Sequence, residues 1–262
     1  MPSGAADASK ITTEVRGHLL LIGINRPAKM NAFDVDMLRG MGTAYARLEA
    51  DPELRCGVIF AHGEHFTAGL DLGNVAPQLM DGSLNLSEGY DPWGVHGKQR
   101  TKPTVIAVQG RCLTLGIELC LSSDVRIAAA NTRFGQIEIK RGIYPFGGAT
   151  YRLVQNAGWG NAMRWLLTGD EFDAQEALRI GLVQEVVDTG KQLERAIQIA
   201  ETISAQAPLG VQATIASARR SLVEEAAAKA LLPELLKLMS SEDAAEGLAS
   251  FLERRAAVFK GK

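Results

Sequence analysis

The chain is poor in cysteine. It has three in 262 residues, Cys56, Cys112 and Cys120. An odd number without a C-x-x-C spacing excludes a disulfide framework and points to reduced, cytoplasmic thiols. Each sits among apolar neighbours and is expected to be a small buried hydrophobe. Charge of one sign is also lacking: 28 Lys and Arg face 30 Asp and Glu, a net charge of −2. A nucleic-acid surface would leave a basic excess, so that class of partner is not expected. No apolar run reaches the 18 residues a membrane span needs. Met1 to Ser9 has neither the apolar stretch of a signal peptide nor the arginines of a transit peptide. His62 and His65 have a metal-like spacing, but no further Cys or His ligand lies nearby, so no metal site is expected.

Aromatics are scarce at 6%, whereas glycine, at 27 residues, is in surplus. The surplus is uneven. Residues 191–262 hold 3 glycines and 16 alanines, and 13 of the 15 aromatics lie before them. Glycine permits tight turns and close backbone approach, and alanine favours helix. The expected organisation is a flexible tail over 1–13, a turn-rich core over 14–190 and a helical region over 191–262. That region should break near Pro208 and around Ser240, with Ser240 and Asp243 as a helix start.

Short apolar runs bounded by turn residues predict buried strands at 19-LLLIGIN-25, 57-GVIFAHG-63, 104-TVIAVQG-110, 124-DVRIAAA-130 and 183-VQEVV-187. Met37, Leu38, Met41, Tyr45 and Leu48 form one helical stripe. A further helix is expected from Leu115 to Ser122, and another from Asp173 to Gly181. The class is α/β. The polar stretch 81-DGSLNLSEGYDPWG-94 is long for a loop and reads as functional.

Three segments could carry chemistry. In 63-GEHFTAGLDL-72 a glycine-bearing turn follows a strand and could aim amides at a ligand, or be a plain surface turn. In 109-QGRCLTLGIELCLSSD-124 the free amides of a helix start face developing negative charge. Glu118 falls in that first turn between Ile117 and Leu119. In 134-FGQIEIKRGIYPFGG-148 Glu138 lies between Ile137 and Ile139. Strand alternation would put it on the face opposite both isoleucines. Singly, each glutamate is compatible with a structural role. Together, two apolar-flanked carboxylates suggest paired acid and base work.

These segments resemble the crotonase, or enoyl-CoA hydratase/isomerase, superfamily. An F-x-A-G-x-D-like turn is matched by Phe66, Ala68, Gly69 and Asp71, with Leu70 between. A K-P-x-I-A-x-x-x-G segment followed by a helix start and Glu is matched by Lys102, Pro103, Ile106, Ala107, Gly110, Gly116 and Glu118. Phe134, Gly135, Glu138, Gly142, Pro145 and Gly148 match a third motif, and 25-NRPAKMNA-32, 167-LTG-169, 177-ALRIGLV-183 and 251-FLERRAAVFK-260 match further elements. The resemblance runs from about residue 14 to the C-terminus.

The resemblance implies a spiral of ββα repeats with a C-terminal helical trimerisation region, giving a homotrimer or a dimer of trimers. It implies an acyl-CoA substrate whose thioester enolate is held by the amides of Leu70 and Leu115. Glu118 and Glu138 would be the acid and base of a hydratase. Contacts to CoA would fall to Lys29, Ala68, Asp71 and Phe259, with Arg254, Arg255 and Lys260 near its phosphates. No metal, and no cofactor beyond the CoA of the substrate, is implied. Alternatives are a Δ3,Δ2-enoyl-CoA isomerase, another acyl-CoA lyase or hydrolase, and a catalytically idle acyl-CoA-binding subunit. Two departures stand out. Leu115 replaces a glycine, with a bulk expected to narrow the pocket and restrict φ. Gly73 stands where a CoA-contacting lysine is common.

Overall fold

The computed structural model describes residues 9–84, 89–220, 229, 232–233, 235–237 and 239–258. Its main sheet has six strands in the order β1 (Ile11–Arg16), β2 (Leu19–Ile24), β3 (Cys56–Ala61), β4 (Thr104–Val108), β6 (Val125–Ala129) and β9 (Glu185–Val187). Only β1 runs antiparallel to its neighbour. Both faces of the sheet are covered, which is why the strands read as continuous apolar runs rather than alternating ones. One face sends Leu20, Ile22, Ile59, Ile106 and Val108 into the larger core, against Met37, Met41, Tyr45 and Leu48 of α1 (Val35–Ala50). The other face sends Leu19, Leu21, Val58, Val105 and Ile127 against Ala196 and Ala200 of α7 (Gln192–Ser204).

A second sheet holds β5 (Arg111–Leu113), β7 (Arg133–Gly135) and β8 (Phe172–Asp173). Along the chain α2 (Leu72–Met80) follows β3, and α3 (Leu115–Ser122) follows β5. After a short 3-10 turn, Glu138–Arg141, come α4 (Ala149–Ala157), α5 (Trp159–Thr168) and α6 (Ala174–Arg179). The described C-terminal helices are α8 (Pro208–Arg220) and α9 (Glu242–Glu253). All three cysteines are buried, and burial pushes the Cys56 thiol up to about 12.

Several expectations shift. Residues 11–13 of the expected tail already belong to β1, where Ile11 pairs with Ile24. The boundary at residue 191 does not separate a helical appendage, because α7 forms a layer of the core itself. Small alanines let its axis approach the sheet closely. The start of α9 is capped by Ser241, whose hydroxyl accepts the Ala244 N–H at 3.0 Å, and not by Ser240. Helix α2 runs against expectation, since Pro77 lies inside it.

α9 also touches the core beside the second glutamate segment. A Cβ on Gly142 would lie 2.5 Å from the Asp243 carbonyl oxygen, and one on Gly247 would overlap the Arg141 carbonyl oxygen. The two backbones therefore meet directly, and α9 buttresses the turn that begins at Glu138.

Candidate active site

The site is assembled from loops that hold one another by backbone hydrogen bonds. Asn31, fully buried and in left-handed backbone (φ 55°), is the hub of the first. Its amide oxygen accepts the Arg26 N–H at 2.7 Å, and its amide nitrogen donates to the carbonyls of His62 (2.9 Å) and His65 (2.7 Å). The loop so fixed runs beside residues 68–71. Phe33 donates to Gly69 O and accepts from Asp71 N–H, each at 2.8 Å. This pattern turns the intervening Leu70 N–H to the other side of the chain. Thr67 in turn bridges to Cys112, accepting the Leu113 N–H at 3.0 Å and donating its own N–H to Arg111 O at 3.0 Å.

Leu115 is the first residue of α3, where backbone N–H groups have no intrahelical acceptor. Among the described residues, no acceptor is hydrogen-bonded to the N–H of Leu70 or of Leu115. The Leu115 side chain is buried in the larger core cluster, and the expected restriction of φ does not fall on it. The unusual backbone falls one residue earlier, at Thr114, with φ 49° and ψ −111°.

Glu118 and Glu138 are both buried, and their charges interact. Glu118 Oε1 accepts the Gly147 N–H at 2.6 Å and the Ala149 N–H at 3.4 Å. Desolvation by burial raises its pKa to about 7, against the pull of those two amides and of Arg152. Glu138 is held well above the usual carboxylate range, first by desolvation and then by the neighbouring charge of Glu118. Its local structure differs from the strand reading. Glu138 opens a 3-10 turn and points inward, while Ile139 is exposed. The carboxyl still faces away from both isoleucines, but it does so from a turn, and the face it occupies is buried rather than wet.

Sequence reasoning missed two supporting groups, Gln136 and Arg152, and noted Trp93 only within the segment that reads as functional. Gln136 is buried, and its side-chain amide lies 3.0 Å from both carboxyl oxygens of Glu138. Trp93 lies against Gly147 and meets Phe146 edge-on at 5.7 Å. Arg152 ties the Trp93 loop down by donating to Trp93 O (2.6 Å) and Gly94 O (3.0 Å). The aromatic cluster around 90–94 and the F-G-Q-x-E spacing are the only traces of these in the sequence.

The remaining expected positions are dispersed around this centre. Lys29 is exposed at the end of a 3-10 turn, Pro27–Lys29. Ala68 N–H donates to Met30 O at 2.9 Å. The Asp71 carboxylate is already engaged by Arg26 at 2.9 Å, which anchors the loop. Arg255 is paired with Glu246 and Glu253 rather than left for a phosphate. Phe259 and Lys260 lie outside the described residues. His62 faces the Thr12 hydroxyl at 3.0 Å and His65 accepts from Arg111 N–H at 3.3 Å. Among the described residues no group of three His, Cys, Asp or Glu could hold a metal, and no helix is long and apolar enough to cross a membrane.

A mostly parallel sheet with a satellite sheet, two unengaged amides and two buried glutamates are thus brought together in one α/β fold. The family model for enoyl-CoA hydratase/isomerase matches residues 14–262. An enoyl-CoA hydratase of Mycobacterium tuberculosis is 37% identical over 255 residues, covering 95% of this chain and 96% of that protein. A 2,3-dehydroadipyl-CoA hydratase of Escherichia coli is 33% identical, covering 97% and 100%. Among solved structures, a carnitinyl-CoA hydratase of Mycobacterium avium superposes with a TM-score of 0.86 at 35% identity, covering 97% of this chain and 99% of that one. A Mycobacterium abscessus chain described as a "probable enoyl-CoA hydratase/isomerase" is 50% identical with a TM-score of 0.80, covering 98% and 100%. The chain belongs to the enoyl-CoA hydratase/isomerase family and has the crotonase fold.

Proposed function

We propose that the chain is an enoyl-CoA hydratase that adds water across a 2-enoyl-CoA thioester. The observation that carries this reading is the pair of buried glutamates whose charges interact. The thioester oxygen sits against the Leu70 and Leu115 N–H groups. Each such donor is typically worth about 3–4 kcal/mol to an oxyanionic transition state. Glu118 takes a proton from water as the water oxygen bonds to C3. The C2=C3 electrons move toward the thioester, and the carbonyl oxygen becomes the enolate oxygen. Glu138, whose proton affinity is raised by burial, delivers its proton to C2 as the enolate collapses. The elements of water are then added and no redox change has occurred.

Ala68 and Lys29 are assigned to the CoA side of the groove. The apolar side chains exposed on α8 and α9, Leu209, Phe251 and Leu252, support a homotrimer or a dimer of trimers. Light scattering on the eluting protein should give a mass of three or six chains, and a monomer would refute that assembly.

Crotonyl-CoA should be hydrated, with loss of the enoyl-thioester absorbance. The rate should rise with pH through about 7, as Glu118 ionises, and fall at higher pH as Glu138 loses the proton it must donate. The two limbs belong to the coupled pair. A 3-enoyl-CoA tests the isomerase alternative, which needs no base for water. Isomerisation without hydration would overturn the proposal. Binding of acyl-CoA without either turnover would favour an idle binding subunit.

A further inference from the structure

Thr114 stands in backbone that a β-branched L-residue rarely adopts, at φ 49° and ψ −111°. It is one of four non-glycine residues with positive φ among those described. It also sits between the two unengaged amides. Its own N–H donates to Gly135 O at 2.8 Å, and its carbonyl accepts the Ile117 and Glu118 N–H groups at 2.9 and 3.3 Å. The side chain makes no capping hydrogen bond to the helix it precedes. Instead it packs against Gly69, the residue before Leu70. A Cβ on Gly69 would overlap Thr114 Oγ1, would lie 3.2 Å from Thr114 Cβ and would lie 3.6 Å from Thr114 Cγ2. Gly69 itself is at φ 101°. One side chain therefore fills the gap between the peptide units that carry the Leu70 and Leu115 N–H groups.

Strain of this kind persists only where the surroundings impose it, and it collects at working sites. We infer that Thr114 is a positioning residue: its side chain is a strut between residues 69 and 114 that sets the spacing and angle of the two amide donors. The inference rests on the proposal that those amides hold a thioester enolate. The strut is a matter of shape. The Thr114 hydroxyl makes no capping hydrogen bond to α3, so a branched apolar side chain of the same volume serves equally well.

Three variants in the intact protein test this: Thr114→Gly, Thr114→Val and, as a reference for the reaction itself, Glu138→Gln. Thr114→Gly removes the strut and relieves the backbone. It should lower kcat about tenfold to a hundredfold, the penalty of misplaced catalytic groups. KM should change less than threefold, and Tm should stay level or rise. Thr114→Val keeps the shape and should retain kcat within about threefold. A second readout avoids turnover. Acetoacetyl-CoA enolises readily, and its enolate absorbs in the near ultraviolet. Thr114→Gly should lose that bound-enolate absorbance while binding saturated butanoyl-CoA as tightly as the parent.

Equal kcat and equal enolate absorbance in parent and Thr114→Gly would overturn the strut. So would a Thr114→Val as impaired as Thr114→Gly, or a Tm that falls along with kcat. Failure of the hydratase reading is separate: the parent would then show no hydration, and Glu138→Gln would change nothing.

Discussion

Replacing Glu118 or Glu138 by glutamine is expected to lower kcat for crotonyl-CoA hydration by about 10²–10⁴-fold each, the usual range for losing a positioned acid or base. Glutamine keeps the volume of the side chain, and at position 118 its amide oxygen can still accept the Gly147 N–H. The fold should survive. It should even gain, and the direction comes from the raised proton affinities. A carboxyl whose folded pKa is raised stabilises the fold fully below its unfolded value, near 4.5, and loses that contribution as pH rises through the folded value. For Glu118 the loss is complete above about 7, and for Glu138 it has the same sign. At pH 8 both variants should therefore melt at or above the parent temperature, and the difference should shrink toward pH 4. Loss of activity with a lower Tm at pH 8 would mean the glutamates are structural.

Gly147→Ala should be nearly as damaging although it removes no chemical group. Gly147 N–H is the 2.6 Å donor to Glu118. A methyl there would overlap Glu118 Oε2, lie 2.7 Å from Glu118 Cδ and lie 3.0 Å from Trp93 Cδ2. The carboxylate must move, and displacement by about 1 Å can cost a factor of about 10² in rate. Overpacking should also destabilise the protein by about 1–3 kcal/mol. Gly160→Ala on α5 is the matched control, because nothing lies within 4 Å of a Cβ there. Steady-state kinetics and melting of the two variants side by side check the expectation. Parent-like kinetics in Gly147→Ala would mean that Gly147 has no part in holding Glu118.

What the sequence made legible was local. The buried strands announced themselves as apolar runs, and the start of α3 at Leu115 matched its expected position. So did the α1 stripe, from Met37 to Leu48. The two glutamates stood out because acids flanked by isoleucine and leucine are rare. What stayed hidden depends on contacts between distant residues. Glu118 meets Gly147 across 29 positions of chain, and no periodicity encodes that. Glu138 obeys turn geometry where alternation suggests a strand. Leu115 in place of a glycine suggests a strained position, but Leu115 takes ordinary helical backbone and Thr114 absorbs the conformation. α7 looks like part of a separate helical region because the alanine surplus of 191–262 signals helix without revealing which surface each helix lies on.

The bridge between Thr67 and Cys112 separates two jobs that the linear order of the chain would otherwise entangle. Residues 72–108 leave the site after one amide and return just before the other. They include α2, the Trp93 loop and β4, which is itself fixed in the sheet. The ends of this excursion are clamped to each other through Thr67 and, at 2.8 Å, through the Phe66 N–H to Gln109 O bond. Residues gained, lost or exchanged between 72 and 100 therefore need not move either amide. Sequence in that stretch can drift under natural or laboratory selection, while the two unengaged amides keep their places.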